Sequence, residues 1–190
     1  MKTLSGVTAG TTKDIQLGAG VLTTAYSAGG VISTESIIGA TRGGGSFSAV
    51  PTIRSIDADG IAKNTKGMIA IDEWDVKLNT TLIEFKKDGI MLALGAGAKS
   101  EEAELNVTKI TATNDVSASD YKDIYWIGNL MDGRKAVILL KNALSMGGFN
   151  LTIANKGEGT YALNLTGNYD IADMETAPFE IIIDGKNVVL

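Results

Sequence analysis

The 190-residue chain contains no cysteine and no histidine, and it has only two prolines. Without cysteine, the chain can form no disulfide scaffold, thiolate nucleophile, zinc–thiolate site or iron–sulfur cluster. Without histidine, it lacks the commonest general base and the commonest transition-metal ligand. If this chain were an enzyme, its catalytic groups would have to be carboxylates, lysine, tyrosine, serine or a bound cofactor. We therefore expect a protein with no catalytic activity, no cofactor and no bound metal.

Positive charge is also scarce, because 22 acidic residues outnumber 17 basic ones and the net charge is −5. Affinity for nucleic acid comes mainly from neutralisation of phosphates by lysine and arginine, so this balance disfavours a DNA-wrapping protein. No apolar run approaches the about 20 residues that span a bilayer, and no apolar stretch of signal-peptide type follows Met1. We expect a soluble protein, made inside the cell, with no membrane contact.

Glycine is abundant, at 23 residues, while the apolar share of 44% is that of an ordinary folded chain. This combination favours strands and tight turns over disorder. Apolar and polar residues alternate over Glu73–Phe85 and again over Tyr161–Tyr169, which predicts two strands with one apolar face each. Shorter strands are predicted at Leu105–Thr111, Phe149–Ile153 and Phe179–Ile183.

One hairpin and one helix have clear local signals. Asp132-Gly133 separates Ile124–Leu130 from Arg134–Leu140, which predicts a hairpin with a type I′ turn. The returning strand is apolar on both faces, so we expect it to lie in the centre of a sheet. A short helix is predicted over Asp88–Leu94, with Asp88 as its cap and Gly95 in the left-handed conformation at its end.

The first sixty residues have a different character, with glycine tracts between short, lightly charged pieces. The pattern of residues 36–60 predicts an extended hairpin, in which Ser46–Asp57 is the returning strand. Such a hairpin is marginal alone, so we expect it to pack on a neighbouring subunit. The single domain would then consist of an N-terminal arm (1–35), this hairpin (36–60) and a β-sandwich core (61–190). The candidate subunit-interface residues are Ile37, Ile38, Thr41, Arg42, Gly43, Gly44, Phe47 and Pro51.

Four segments superficially suggest chemistry, and none completes a motif. Gly95–Ser100 lacks the glycine that precedes the lysine of a phosphate-binding loop, so we interpret it as a loop that ends the helix. Asp57–Gly60 lacks the second Asp–Gly pair and the distal glutamate of a calcium loop. Asp72 and Glu73 would point to opposite faces of a strand. Glu101–Glu104 is interpreted as a solvated acidic loop. We predict no catalytic, cofactor or metal site.

Three stretches, taken in order, resemble a known family. The first is Gly39–Phe47 leading into Pro51–Arg54 and Asp59-Gly60. The second is Lys66–Asp72 followed by the strand Trp74–Phe85 and the helix end Leu92–Ala96. The third is Ile138–Ser145, Lys156–Thr160, Tyr169-Asp170 and Thr176–Ile181. In this order and spacing, most of the chain after about residue 36 is similar to the major tail (tail tube) proteins of long-tailed, siphovirus-type bacteriophages of Gram-positive bacteria.

The resemblance implies a mainly β fold, an antiparallel β-sandwich or half-barrel of the tail tube type, with one short flanking α-helix and a long extended hairpin loop. It also implies homohexameric rings that stack into a tube, through whose lumen the DNA genome passes without specific binding. The partners would be further copies of the chain and the tape measure, tail tip or distal tail, and terminator proteins. The protein would belong to the virion tail and be assembled in the cytoplasm of the host bacterium.

An acidic lumen would repel phosphates and let DNA slide. The candidate lumen-facing residues are Asp75, Asn79, Asn164 and Asn168. Three alternatives remain open at this point. The chain could be the inner tube of a contractile tail or bacteriocin-like injection particle, or a surface β-sandwich module for adhesion or carbohydrate binding. The third alternative is an enzyme with an unrecognised carboxylate or lysine mechanism.

Overall fold

Antiparallel strands dominate the computed structural model, which describes residues 5–185. One α-helix, α1 (Lys87–Leu94), lies between the third and fourth strands, and short 3₁₀ helices occupy Thr11–Asp14, Thr34–Ser36, Ala103–Leu105 and Ala118–Asp120. In chain order, the strands are β1 (Gln16–Thr23), β2 (Thr41–Ser55), β3 (Ile69–Leu82), β4 (Gly97–Glu102), β5 (Val107–Ala112), β6 (Lys122–Leu130), β7 (Lys135–Ser145), β8 (Leu151–Thr152), β9 (Thr160–Thr166) and β10 (Phe179–Asp184).

The strands form two packed layers, as expected for an antiparallel β-sandwich. The first sheet has the order β1-β6-β7-β10, and the second runs from β2 through β3 to β9, with β8 also paired to β9. Strand β7 belongs to both sheets, because its earlier residues pair with β6 and β10 while Leu144 and Ser145 pair with β9. A separate hairpin, β4–β5, lies beside α1.

The core lies between the two sheets, where the alternating strands turn their apolar faces towards each other. The predicted strands at β3 and β9 are confirmed, and their inward side chains are almost completely buried. Burying an aliphatic side chain of this size contributes about 1.5–3 kcal/mol. The central core residues are Leu22, Val76, Leu78, Leu82, Ile124, Leu140, Tyr161, Leu163 and Leu165.

A corner at Asn142 lets β7 change sheets. Asn142 has a φ of 47°, a left-handed value that asparagine tolerates better than most residues. Its backbone N–H donates to Asp123 Oδ1 at 3.0 Å. Its side-chain Nδ2 donates to the carbonyl of Asn168 at 3.2 Å, and Asn168 Nδ2 donates to the carbonyl of Asn142 at 2.8 Å. This reciprocal pair fixes the direction in which β7 leaves the first sheet.

The outer face of the first sheet is covered by the segment between β1 and β2. Ile32 of that segment packs with Ile127 and Val137 in a second buried cluster. Tyr26 Oη donates to Asp184 Oδ2 at 2.6 Å, and the Gly29 N–H donates to the same oxygen at 2.9 Å. Because the first sheet is covered on both faces, the prediction that β7 is a central strand is confirmed.

The assignment of residues 1–60 needs correction. Residues 16–23, which were assigned to an arm, form β1 and pair with β6 inside the sandwich. Residues 41–55 form one continuous strand, and its partner is β3 rather than a returning strand within 46–57. The glycines of both strands hide the alternation that would have revealed them. Residues 1–4 of the predicted arm and residues 186–190 of the predicted core lie outside the described residues.

Helix α1 is confirmed, with a change at each end. The N-cap residue is Lys86, without a side-chain cap, and Asp88 lies in the first turn, where its carboxylate still favours the positive end of the helix dipole. Gly95 ends the helix with a positive φ of 79°, but its ψ of −43° lies outside the left-handed helical region that was predicted. A Cβ added at Gly89 would lie 2.5 Å from Tyr161 Oη, so packing explains the glycine inside the helix.

The β6–β7 hairpin is confirmed, but its predicted turn type is wrong. The Leu130 N–H donates to the Arg134 carbonyl at 2.9 Å, which closes a three-residue loop. Gly133 has a φ of 91°, whereas Asp132 lacks the positive φ that a type I′ turn requires. The predicted loops at 95–100 and 101–104 also need correction, because residues 97–102 form β4 and 103–105 a 3₁₀ turn.

Two of the five tyrosines should ionise only at strongly alkaline pH. Burial, reinforced by the hydrogen bond to Asp184 and the charge of its carboxylate, raises the pKa of Tyr26 to about 12. Burial and the charge of Glu84 raise the pKa of Tyr161 to about 12. Both values lie above the ordinary 10.0, so the folded chain holds these protons more tightly than the unfolded chain. The stability they contribute is fully present below about pH 10 and is lost as the pH rises towards 12.

Tyrosinate absorbance and circular dichroism, followed together from neutral to alkaline pH, measure this effect. Tyr26→Phe should reduce the alkaline loss of stability, whereas Tyr121→Phe, at an exposed tyrosine, should leave it unchanged. Ionisation of all the tyrosines near their ordinary pKa, in a chain that stays folded, would contradict the prediction.

Candidate functional site

The outward face of the second sheet is polar, and we call this surface of β3 and β9 the polar face. Asn79 lies directly opposite Asn164 in the register, and Lys77 lies opposite Thr166. Lys77 Nζ donates to Asp75 Oδ2 at 2.6 Å, with about half of each side chain exposed. The two charges offset each other, so the polar face presents amides and hydroxyls around one ion pair. Its residues on these strands are Asp75, Lys77, Asn79, Thr81, Ala162, Asn164 and Thr166.

The structure therefore brings together three of the four candidate lumen-facing residues, Asp75, Asn79 and Asn164. Asn168 has a different role, because it binds the backbone of Asn142 at the corner of β7.

A polar cavity of about 270 Å³ lies at this corner. Asp123, Asp170 and Asp173 line it, with Lys141 as the basic residue of the lining. Hydrogen bonds from the side chain and backbone of Thr176 lower the pKa of Asp173, so its carboxylate stays ionised at neutral pH. Within residues 5–185, no group of three or more carboxylates is arranged to hold a metal ion.

The eight candidate interface residues are divided between core and surface. Ile38 is buried in the main core and Ile37 packs in the second cluster. The ring of Phe47 lies 5.9 Å from that of Phe179, also inside the chain. These three residues therefore pack within the chain, although Phe47 is only partly buried.

The other five candidates follow the edge of the second sheet. Arg42 Nη1 donates to Glu158 Oε2 at 2.8 Å, with both side chains exposed. Thr41, Gly43 and Gly44 lie beside Arg42 in β2, and Pro51 lies opposite Trp74 in β3. Their role as an interface stays a prediction.

Beyond Pro51, β2 and β3 continue as a two-stranded ribbon, defined as residues 51–55 and 69–74 with the loop 56–68 between them. In the described part of the chain, these residues of β3 pair with β2 alone, because pairing with β9 begins at Lys77. Ile53 lies opposite Ile71, and Ser55 lies opposite Ile69, so the three isoleucines share one face. Their exposed fractions are 60%, 53% and 48% for Ile53, Ile71 and Ile69.

The other face of the ribbon is charged. Arg54 pairs with Asp72 at 3.1 Å, and Thr52 Oγ1 donates to Glu73 at 3.3 Å. The ribbon is therefore amphipathic, and the isoleucines of its apolar face are about half exposed. The sequence signal for this surface is an alternation over residues 69–72, in which Ile69 and Ile71 are apolar. The strand predicted from the sequence starts only at Glu73, four residues after the observed start of β3 at Ile69.

A second feature lies where β1 and β2, the edge strands of the two sheets, approach each other. Each strand has a bulge in which three residues oppose one residue of the neighbouring strand: residues 18–20 face Gly128, and residues 42–44 face Thr81. In both bulges a side chain from the neighbouring strand donates to a bulge carbonyl. Trp126 Nε1 donates to Ala19 at 2.9 Å, and Thr80 Oγ1 donates to Gly44 at 2.8 Å.

Between the two bulges lies a cavity of about 300 Å³, which we call the seam cavity. Apolar side chains of both sheets line it together with polar groups of β1, β2 and β3. None of the described residues that line it is charged. The lining residues with apolar side chains are Leu22, Phe47, Leu78, Trp126 and Ile138, and those with polar side chains are Gln16, Thr41, Ser46, Asn79 and Thr80.

No protein-family model matches the chain, and no curated protein matches it either. Among the helices of residues 5–185, none combines the length and apolar character required to cross a membrane.

The bulge of β1 offers a matched test of how Trp126 is positioned. Gly18 and Gly20 have φ angles of 74° and 73°, so alanine at either site costs about 1–2 kcal/mol of backbone strain. A Cβ at Gly20 would also lie 2.5 Å from Trp126 Nε1, whereas a Cβ at Gly18 meets nothing within 4 Å. Gly20→Ala should therefore lower the free energy of unfolding more than Gly18→Ala and shift tryptophan fluorescence. Urea unfolding of both variants measures the difference, and equal losses would refute the packing of Trp126 against Gly20.

Proposed function

We propose that the chain is the self-assembling structural subunit of a bacteriophage tail tube, with no catalytic activity. In this proposal its β-sandwich is of the tail tube type, copies join in homohexameric rings, and stacked rings form a tube that conducts the DNA genome. The family resemblance of the sequence motifs suggests this role, and the amphipathic ribbon is the observation that carries it.

The ribbon needs a partner for a physical reason. An isolated two-stranded hairpin is marginally stable in water, and this one exposes three isoleucines on a single face. A monomer would leave that face hydrated. Packing against another copy would bury it, at about 1.5–3 kcal/mol for each fully covered side chain.

Open sheet edges also favour assembly. Strand β1 is at one edge of the first sheet with β10 at the other, and β2 is at an edge of the second. Exposed edges invite uncontrolled pairing, and closing subunits into a ring is one way to remove them. The bulges of β1 and β2 would restrict which partner strand can approach.

The polar face is the surface that we propose for the bore. Phosphate groups are attracted only weakly to amides, to hydroxyls and to an ion pair whose two charges offset each other. DNA could therefore slide along this face. The anionic character expected of the lumen would then come from the carboxylates at the corner, Asp123, Asp170 and Asp173, rather than from the strand face.

The remaining partners follow from the proposal. A tail tube subunit would contact tape measure, tail tip or distal tail, and terminator proteins, and it would be assembled inside the host bacterium into the virion tail. The inner tube of a contractile tail is the related alternative, and a surrounding sheath in particles that contain this chain would distinguish it.

Electron microscopy of the purified protein, alone and with a tail tip complex, tests the proposal directly. We expect rings or tubes with six-fold symmetry. A chain that stays strictly monomeric under all these conditions would overturn the proposed function.

A charge on the apolar face of the ribbon should prevent assembly. Ile53→Lys would place an ammonium group in the contact, whereas Thr52→Lys, the neighbouring position, places the same group on the charged face opposite Glu73. We expect Ile53→Lys to remain folded and monomeric, and Thr52→Lys to assemble like the unchanged protein. Sedimentation velocity with circular dichroism measures both properties. Normal assembly of Ile53→Lys would show that the apolar face is not an interface.

A further inference from the structure

The seam cavity has walls from both sheets and borders the main core. Trp126 lies in β6 of the first sheet and Phe47 in β2 of the second, and both residues line the cavity. Leu22 and Leu78 also line it, and both belong to the core, with exposed fractions of only 2% and 5%. Small-molecule sites are concave and mainly apolar, so this cavity has the general form of one.

Contacts within the chain hold both aromatic rings of the cavity in place. The indole of Trp126 lies directly against the backbone of Gly20 and Gly128. A Cβ added at these glycines would lie 2.5 Å from the indole Nε1 and 2.4 Å from its Cη2, respectively. The ring of Phe47 lies 5.9 Å from that of Phe179. The two aromatic surfaces are therefore formed before any ligand binds, which lowers the entropic cost of binding.

The hydrogen-bond donors of the lining are largely engaged inside the chain. Gln16 Nε2 donates to two backbone carbonyls of β1, at 3.0 and 2.7 Å. Trp126 Nε1 and Thr80 Oγ1 donate to the carbonyls of the two bulges. Asn79 belongs to the polar face and Ser46 lies opposite it in the register, so the pleat turns both side chains outward. Few donors therefore remain for a polar ligand.

These properties narrow the class of ligand. None of the described lining residues is charged, so a charged group would lose its hydration without gaining a counter-charge. A sugar would leave most of its hydroxyls without partners, because the donors of the lining are already used. The volume of about 300 Å³ is at the small end of the range for ligand sites. Dry apolar cavities take up small aromatic molecules such as benzene, which need no hydrogen bonds.

We propose that the seam cavity binds a small, flat, uncharged aromatic molecule of about one or two rings. The molecule packs between Trp126 and Phe47, and its contacts with these rings and with the core leucines of the lining replace its contacts with water. It enters through the seam, where β1 and β2 do not pair in the described register. The site is complete within one copy, so this inference does not rest on the proposed function.

Equilibrium dialysis of the purified chain tests this inference, with naphthol as the uncharged aromatic probe. Naphthoate has the same rings with a carboxylate, and glucose is a neutral sugar, so these two compounds are the comparison ligands. We expect naphthol to bind saturably at a single site in each chain. The affinities for naphthoate and for glucose should be lower by about tenfold or more, because the cavity offers neither a counter-charge nor free donors.

Two matched variants locate the probe. Ile138 lines the cavity, so Ile138→Phe adds a ring to the space that the ligand needs and should weaken naphthol binding by about tenfold. Ile181→Phe is the control, because Ile181 lies opposite Ile138 in β10 but outside the lining, and it should leave binding unchanged. Phe47→Leu, which removes one of the two rings, takes the place of Ile138→Phe if circular dichroism shows that Ile138→Phe does not fold.

Weaker binding of naphthol to Ile138→Phe or Phe47→Leu, with unchanged binding to Ile181→Phe, supports the inference. Equal affinities in the cavity variant and the control would place the probe elsewhere and overturn it. Binding of naphthoate as tight as that of naphthol, or a preference for glucose, would overturn the ligand class. The absence of saturable naphthol binding to the folded, unchanged chain would overturn the site itself.

Discussion

The passage of β7 from one sheet to the other is the constraint on which the remaining architecture depends. Because residues 135–140 of β7 pair with β6 and β10, while Leu144 and Ser145 pair with β9, the two sheets are joined along one side of the sandwich. The strand order then runs outward from this join to β1 in one sheet and to β2 in the other. Closure at β7 leaves the opposite side, between β1 and β2, as the open seam.

Unequal strand lengths explain the ribbon. Strands β2 and β3 contain 15 and 14 residues, but β9, the other neighbour of β3, has only seven. Among the strands of residues 5–185, β2 is therefore the one that pairs with β3 beyond Lys77. Past Trp74 the pairing shifts by one residue between Thr52 and Ile53, and the isoleucines beyond this irregularity are about half exposed. One chain thus presents an apolar projection and an apolar opening, both produced by the same sandwich.

Local patterns predicted the parts of the fold whose causes are local. Alternation identified β3 and β9, and Gly95 marked the end of α1 because the backbone there takes a positive φ, which favours glycine. Strands β1 and β2 could not be recognised in this way, since glycines occupy the positions where alternation would be visible. The corner at Asn142 depends on Asn168, which is distant in sequence. The ion pair of Asp75 and Lys77, in contrast, was predictable, because residues two apart share a strand face.

The charge of the chain limits which forces can hold copies together. Each copy has a net charge of −5, so electrostatic repulsion opposes assembly. The exposed ion pairs of Arg42, Arg54 and Lys77 are formed within one chain, and such pairs contribute about 0–1 kcal/mol each. Covering a single isoleucine of the ribbon contributes about 1.5–3 kcal/mol, more than one of these pairs. In the proposed tube, apolar contact is therefore the interaction that can overcome this repulsion.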